Sequence, residues 1–290
     1  MIEVKNISKS FGDKLVLNNI SCTFEPGKIY GIIGINGVGK STLLRIINGI
    51  YDQNQGQVLL DGKVIKDNAE VKENICFVSD DAYFFKGYTL DDMASFYNDM
   101  YENFSEKNFK YFAETLNLDT HQKMSNFSKG MKRQSSLILC LATNAKYMFF
   151  DETFDGLDPL SRNKMKNHLM EYAKNGNTII MTSHNMKELE DICDSIAVLE
   201  QGKMLVEGEF EQKLNKVFKL QIVENEEISK ETLGFLELLD YKKEGKVITI
   251  VTNGEKEDVI SRVKKLAPLL VEEIPLTLEE MFIYEKEGNK

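Results

Sequence analysis

Nowhere does this 290-residue chain run to the eighteen or so consecutive apolar residues that cross a bilayer. Its opening, "MIEVKNISKS", carries charges where a secretion signal needs an apolar core. The expectation is a chain that is itself cytoplasmic, with room left for docking on something that is not. Positive charge is also short, with 36 Lys and Arg against 46 Asp and Glu and a net charge of −10. That balance argues against a general nucleic-acid-binding surface, which is normally basic. It leaves room for a small phosphorylated ligand, because such a site needs only local backbone and one lysine. The four cysteines, Cys22, Cys76, Cys140 and Cys193, show no CxxC spacing and adjoin apolar residues, so they read as structural thiols rather than metal ligands or disulfides. Histidine is scarce too, and of the three only His184 has neighbours that give it meaning; His121 and His168 read as ordinary surface or half-buried residues. There is no internal repeat and no low-complexity segment. With 42% apolar and 28% charged residues, the composition is that of a globular protein of one large or two modest domains.

What is present is alternation. The β-rich segments "IEVKNISKSF", "LVLNNISCTF" and "KIYGIIG" are separated by the turn at Asp13 and by Pro26-Gly27. The third runs into "INGVGKSTLLRIINGI", helical in its apolar spacing after Ser41, and "QVLLDGKVI" follows as a hairpin turning at Asp61-Gly62. From about residue 89 the period changes: Met93, Phe96, Tyr97, Met100, Tyr101 and Phe104 form one helical face, and Phe109, Phe112, Ala113 and Leu116 repeat it. Residues 89 to about 143 are therefore expected to be a helical insertion whose aromatics form its core, with one edge facing a partner. Beyond it, "KYMFFDE" and "NTIIMTSH" read as buried strands, each followed by a helix, and Gln201-Gly202 turns a closing hairpin. Strand–helix alternation predicts an α/β fold with a parallel sheet covered on both faces. After about 208 the chain becomes richer in Glu and Lys. Strand-like "FKLQIV", "KVITIVT" and "LLVEEI" alternate there with helical "KETLGFLELL", "EDVISRVKKL" and "TLEEMFIYEK", predicting a small appended α/β domain.

"GINGVGKST", residues 34–42, matches the phosphate-binding pattern GxxxxGK[ST]. Gly34, Gly37 and Gly39, with Asn36 between them, let consecutive N–H groups curl toward phosphate oxygens. Lys40 reaches the outer phosphates, Ser41 supplies a hydroxyl for Mg²⁺, Thr42 continues the cradle, and the helix adds its positive end. The preceding strand and following helix are the context the motif requires. "YMFFDE" brings Asp151 and Glu152 to the carboxyl edge of a strand, where open α/β sheets place ligands. Asp151 suits a magnesium ion held through water, and Glu152 suits polarising the water that attacks a γ-phosphate.

On these motifs, taken with "FSKGMKRQ" (127–134), "DGLDP" (155–159) and "TSH" (182–184), residues 1 to about 208 resemble the ATP-binding subunits of ABC transporters. The resemblance implies a P-loop ATPase core, with a mixed sheet and an antiparallel β subdomain, carrying the helical subdomain at about 89–143. Residues 209–290 are the small C-terminal accessory domain. It further implies ATP and Mg²⁺, and a second copy of the chain lying head to tail, so that Ser128 and Gly130 contact the γ-phosphate held by the other copy. Phe11 occupies the place of the aromatic that stacks on adenine, though a turn-flanking core residue reads nearly as well. Asp158 falls in the loop that links the two sites, and His184 in that of the histidine that hydrogen-bonds the γ-phosphate.

The departures carry information. Lys129 replaces the commonest signature's first glycine, a variant that resembles the subgroup serving ABC-2-type exporters. Thr153 and Phe154 stand where Pro-Thr is usual. Asp80 stands where the family generally has a glutamine near Mg²⁺; it is still an oxygen ligand, but shorter and negatively charged. The expectation is an ATP-hydrolysing subunit that drives a separate integral-membrane permease, in the direction of export, from the inner face of the cell membrane. The alternatives are a soluble ATPase of the same type and a nucleotide-dependent regulator that barely hydrolyses ATP.

Overall fold

Five residues of near-continuous apolar character, Ile29–Ile33, form the central strand of the larger sheet (β3), and their burial on both sides dictates that position. The computed structural model describes residues 1–81, 83–154, 158–206, 216–277, 280, 283 and 284. The chain divides into two compact units, Met1–Val206 and Glu207–Lys290.

In the first unit, β1 (Ile2–Phe11), β2 (Lys14–Phe24), β4 (Gln55–Leu60) and β5 (Lys63–Val64) make an antiparallel sheet in the order β2-β1-β4-β5. The second sheet combines β3 with β6 (Ile75–Val78), β7 (Tyr147–Asp151), β8 (Thr178–Ser183), β9 (Ser195–Glu200) and β10 (Lys203–Val206), in the order β10-β9-β3-β8-β7-β6. All its pairings are parallel except β9 with β10. The mixed sheet with an antiparallel companion is thus the expected architecture. Helix α1 (Lys40–Ile47) packs between the two sheets, burying Leu43, Leu44, Ile46 and Ile47 in a core shared with Ile7, Leu17, Tyr147 and Phe149. At about 1.5–3 kcal/mol per buried aliphatic side chain, that anchorage holds the loop preceding α1 in place.

A short helix, α2 (Ala69–Lys72), precedes β6. Helices α3 (Leu90–Met100), α4 (Glu106–Thr115) and α5 (Lys129–Ala142) follow it, with a 3₁₀ turn at Met124–Asn126. Thr89 starts α3 with a reciprocal capping box to Asp92, and Ser105 caps α4. The first helix is shorter than its apolar pattern suggests, because Tyr101 turns extended and leaves Phe104 outside it. Phe109 and Phe112 are core, whereas Phe96 and Met100 remain exposed. Helices α6 (Pro159–Lys174) and α7 (Met186–Ile192) complete the unit. Of the cysteines, Cys76 and Cys140 are buried and Cys22 and Cys193 partly so; all four are free, and burial pushes the Cys22 thiol up to about 12.

The second unit holds β11 (Val217–Val223), β12 (Glu237–Glu244), β13 (Val247–Asn253), α8 (Lys256–Lys264) and β14 (Leu270–Ile274). Its antiparallel sheet runs β12-β13-β11-β14, and Phe218, Leu220, Ile222, Ile248 and Ile250 meet Val259 and Val263 of α8. The expected helix "KETLGFLELL" is corrected here: residues 230–236 form successive turns, and the chain continues as β12. Gly234 weakens a helix at its midpoint. The open edge of β13 meanwhile offers a full ladder, Leu238 facing Thr252 and Tyr241 facing Ile250. Most of "TLEEMFIYEK" lies outside the described residues; at its start Thr277 and Glu280 exchange backbone-to-side-chain hydrogen bonds.

Candidate functional site

The loop between β3 and α1 is shaped by its glycines at two points that decide the geometry. A Cβ on Gly34 would lie 2.5 Å from the Leu199 carbonyl oxygen, so only glycine lets the chain leave the sheet there. Gly39, the residue before α1, has φ +116°, and no side chain caps the helix's first N–H groups. Lys40 is buried, with 4% exposure, yet keeps its charge satisfied: Nζ donates to the Gly34 carbonyl at 2.8 Å and lies 3.3 Å from Glu152 Oε1. Phe11, Lys14, Val16, Gly37, Gly39, Lys40, Ser41, Thr42 and Glu152 line a cavity of about 260 Å³. Phe11 is half exposed, with its edge against Tyr51 at 5.9 Å and the Lys9 ammonium 5.0 Å from its ring centre. Asn36 is exposed and does not line this cavity.

Parallel pairing of β7 with β8 sets Asp151 opposite Thr182, next to the loop. Asp151 is fully buried. Its Oδ1 accepts from Ser41 Oγ at 3.0 Å and from Thr182 Oγ1 at 2.7 Å, while its Oδ2 is buried with no partner. Burial pushes this carboxyl above the usual range, the Thr182 and Ser41 hydrogen bonds pull the other way, and the negative charge of Asp80 adds to the rise. Asp80 itself is exposed, just beyond β6. Glu152 has φ +50°, a left-handed backbone uncommon outside glycine, and its Oε2 lies 3.7 Å from His184 Nδ1. One carboxylate thus sits between a buried ammonium and an imidazole.

The remaining candidates lie elsewhere on the chain. Ser128 caps α5, its Oγ accepting from the Met131 N–H at 3.2 Å; neither it nor Gly130 borders the cavity at Lys40. Asp158 caps α6, accepting from the Leu160 and Ser161 N–H groups, and the Ser161 hydrogen bonds hold its carboxyl below the usual range. Residues 155–157 of "DGLDP" lie outside the described residues. Lys14, Val16 and Thr182 were not singled out by the motifs, although Thr182 belongs to "TSH" and its register opposite Asp151 follows from two adjacent parallel strands.

A magnesium ion suits this donor set. Among the described residues no three His, Cys, Asp or Glu side chains converge on a metal. Mg²⁺ needs no such cage, since it keeps several waters and takes one or two carboxylates together with substrate phosphates. A buried carboxylate oxygen without a partner, beside a serine hydroxyl and a phosphate loop, meets that need.

Comparison with known proteins agrees with the geometry. The family model described as ABC transporter matches residues 17–155. The chain is 28% identical over its full length to the ABC transporter ATP-binding protein YtrB of Bacillus subtilis, covering 99% of that protein. It is 32% identical to the Nod factor export ATP-binding protein I of Burkholderia lata, over 71% of this chain and 70% of that one. Its fold matches a solved ATP-binding subunit of an ABC transporter with a TM-score of 0.68 at 22% identity, over 74% of this chain and 93% of the other.

Proposed function

The chain belongs to the ATP-binding proteins of ABC transporters, a family that binds and hydrolyses ATP to power transport, and on that premise we propose how its residues divide the work. The domains are taken as 1–208 for the ATPase, with its helical part at about 89–143, and 209–290 as an accessory domain. The observation that carries the assignment is the hydrogen bond from Ser41 to Asp151, which joins side chains 110 positions apart at the mouth of the phosphate loop.

The N–H groups of the loop and the positive end of α1 receive the inner phosphates, and the Lys40 ammonium the outer ones. Phe11 offers its exposed ring to the adenine. Ser41 and Asp151 would hold Mg²⁺, Asp151 through the spare Oδ2, with Asp80 as a further oxygen donor at the rim. A bound Mg²⁺ supplies Lewis-acid stabilisation of charge on the transferring phosphoryl group. Glu152 accepts the proton of the attacking water once Lys40 has turned from its carboxylate to phosphate. His184, beside the same carboxylate, donates to the γ-phosphate and keeps the water in line.

Ser128 and Gly130 act on the γ-phosphate of a second copy. The Ser128 oxygen accepts the Met131 N–H and still has its own proton to donate, and the N-terminal N–H groups of α5 add to the cradle. Asp158 sits where the two sites communicate. Two copies closing head to tail around two ATP would draw the helical parts together and move a separate membrane permease of ABC-2 type at the inner face of the membrane. An exposed aromatic cluster supports such a partner: Phe85 packs against Tyr83, Tyr88 and Phe96 at 5.1–5.8 Å, beside a cavity of about 350 Å³ that Lys86 and Lys132 also line. No helix among the described residues is long and apolar enough to cross a membrane. Export is favoured by the "SKGMKRQ" signature and by the name of the Nod factor relative.

Replacing Glu152 by Gln tests this scheme. Hydrolysis should fall by about 10²- to 10⁴-fold, while ATP with Mg²⁺ should drive the protein from monomer to dimer in gel filtration. A variant that stays monomeric at saturating ATP and Mg²⁺ would overturn the head-to-tail arrangement.

A further inference from the structure

Thr182 is buried at 3% exposure on β8, directly across the parallel ladder from Asp151. Its hydroxyl does two things at once. Oγ1 donates to Asp151 Oδ1 at 2.7 Å and accepts from the Glu152 N–H at 3.2 Å, a proton that also reaches the Thr182 carbonyl at 3.1 Å. One side chain therefore touches the carboxylate offered to the cation and the backbone of the residue offered as base. Both need holding. Asp151 keeps one oxygen, Oδ2, free while Ser41 and Thr182 both hold Oδ1. Glu152 sits at φ +50°, a conformation that persists where surrounding contacts over-determine it.

We propose that Thr182 is a positioning residue for hydrolysis, fixing through one hydroxyl both the orientation of Asp151 toward Mg²⁺ and the backbone from which Glu152 reaches the water. A valine at this place has the same shape and β-branching but can neither donate nor accept. A serine keeps both functions and loses only a methyl group. The two substitutions separate the hydroxyl's role from packing.

The inference rests on the reading of Asp151 and Glu152 given above, so the experiment keeps the two apart. Full-length wild type, Thr182→Val and Thr182→Ser are titrated with Mg²⁺ for ATP hydrolysis, and with Mn²⁺ by electron paramagnetic resonance in the presence of a non-hydrolysable ATP analogue. Partners standing behind metal ligands are worth about 10- to 100-fold in metal affinity or activity. The valine variant should need about tenfold more of either cation at half-saturation and turn over more slowly, and its affinity for a fluorescent ATP analogue without metal should be unchanged. The serine variant should titrate like wild type. A valine variant with wild-type cation dependence overturns the proposal. So does a serine variant impaired in cation dependence, and that outcome decides the matter even where the valine variant does not fold. Wild-type hydrolysis that needs no divalent cation would instead sink the underlying reading.

Discussion

Lys40 Nζ lies 3.3 Å from Glu152 Oε1, so the cation assigned to the outer phosphates and the acid assigned to the water form one ion pair, its ammonium buried and its carboxylate partly so. Removing one partner of such a pair leaves the other uncompensated. In Lys40→Met the alkyl stem is kept and the charge lost. Hydrogen bonds to charged groups contribute about 1.5–3 kcal/mol each, so ATP affinity should fall about 10- to 100-fold. Hydrolysis should be abolished. Isothermal titration calorimetry with a non-hydrolysable analogue measures the first effect; an unchanged affinity would remove Lys40 from the binding site.

The aromatic cluster gives a prediction that leaves chemistry untouched. Tyr83 is 79% exposed, and Phe85 links it to Tyr88 and Phe96. Replacing Tyr83 and Phe85 together by Ser should leave the hydrolysis rate of the isolated subunit within about twofold, since surface changes away from a site are usually small in effect. Recovery of a multispanning membrane protein with the tagged subunit from detergent extracts should be lost. Equal recovery with wild type and variant would place the docking surface elsewhere.

His168 supplies a pH dependence. It is half-buried on α6 against the rings of Tyr111 and Phe112, at 5.5 and 4.8 Å. Burial lowers its pKa below the ordinary 6.5, and the neighbouring Glu171 works weakly against that. The unfolded chain therefore takes up this proton at a higher pH than the folded one. The contribution is fully present above 6.5 and is lost as pH falls from there toward the depressed value. Thermal melting at pH 7.5 and pH 5.5 should show wild type losing more stability than a control without this imidazole, such as His168→Phe. Identical losses in the two proteins would show that the ring is not desolvated.

Much of the site could be read from order and spacing. "GINGVGKST" between an apolar strand and an amphipathic helix specifies its own turn, because local glycines and the helix start are enough to shape it. The strand ending in Asp151 and Glu152 announced itself by a continuous apolar run, and the folded chain sets that strand next to β8 with Ser41 in hydrogen-bonding reach. The second unit was less transparent. The stretch "KETLGFLELL" has apolar spacing compatible with a helix, but its last three residues begin the strand that pairs with β13, and an unfilled sheet edge outweighs a weak local preference. Thr182 escaped notice because one hydroxyl in an apolar strand has no periodic signature; only its register against Asp151 gives it a role.

By itself the sequence determined the order of the elements, the phosphate loop and the identity of the acids, since these depend on residues close together in the chain. The tertiary structure decided which atoms meet. It set Lys40 against Glu152, left Asp151 Oδ2 unpaired while Oδ1 took two hydroxyls, and placed Thr182 on both acids at once. Those relations come from strand pairing and helix packing between segments 30 to 112 positions apart, and from the desolvation such packing imposes, and no local pattern encodes either.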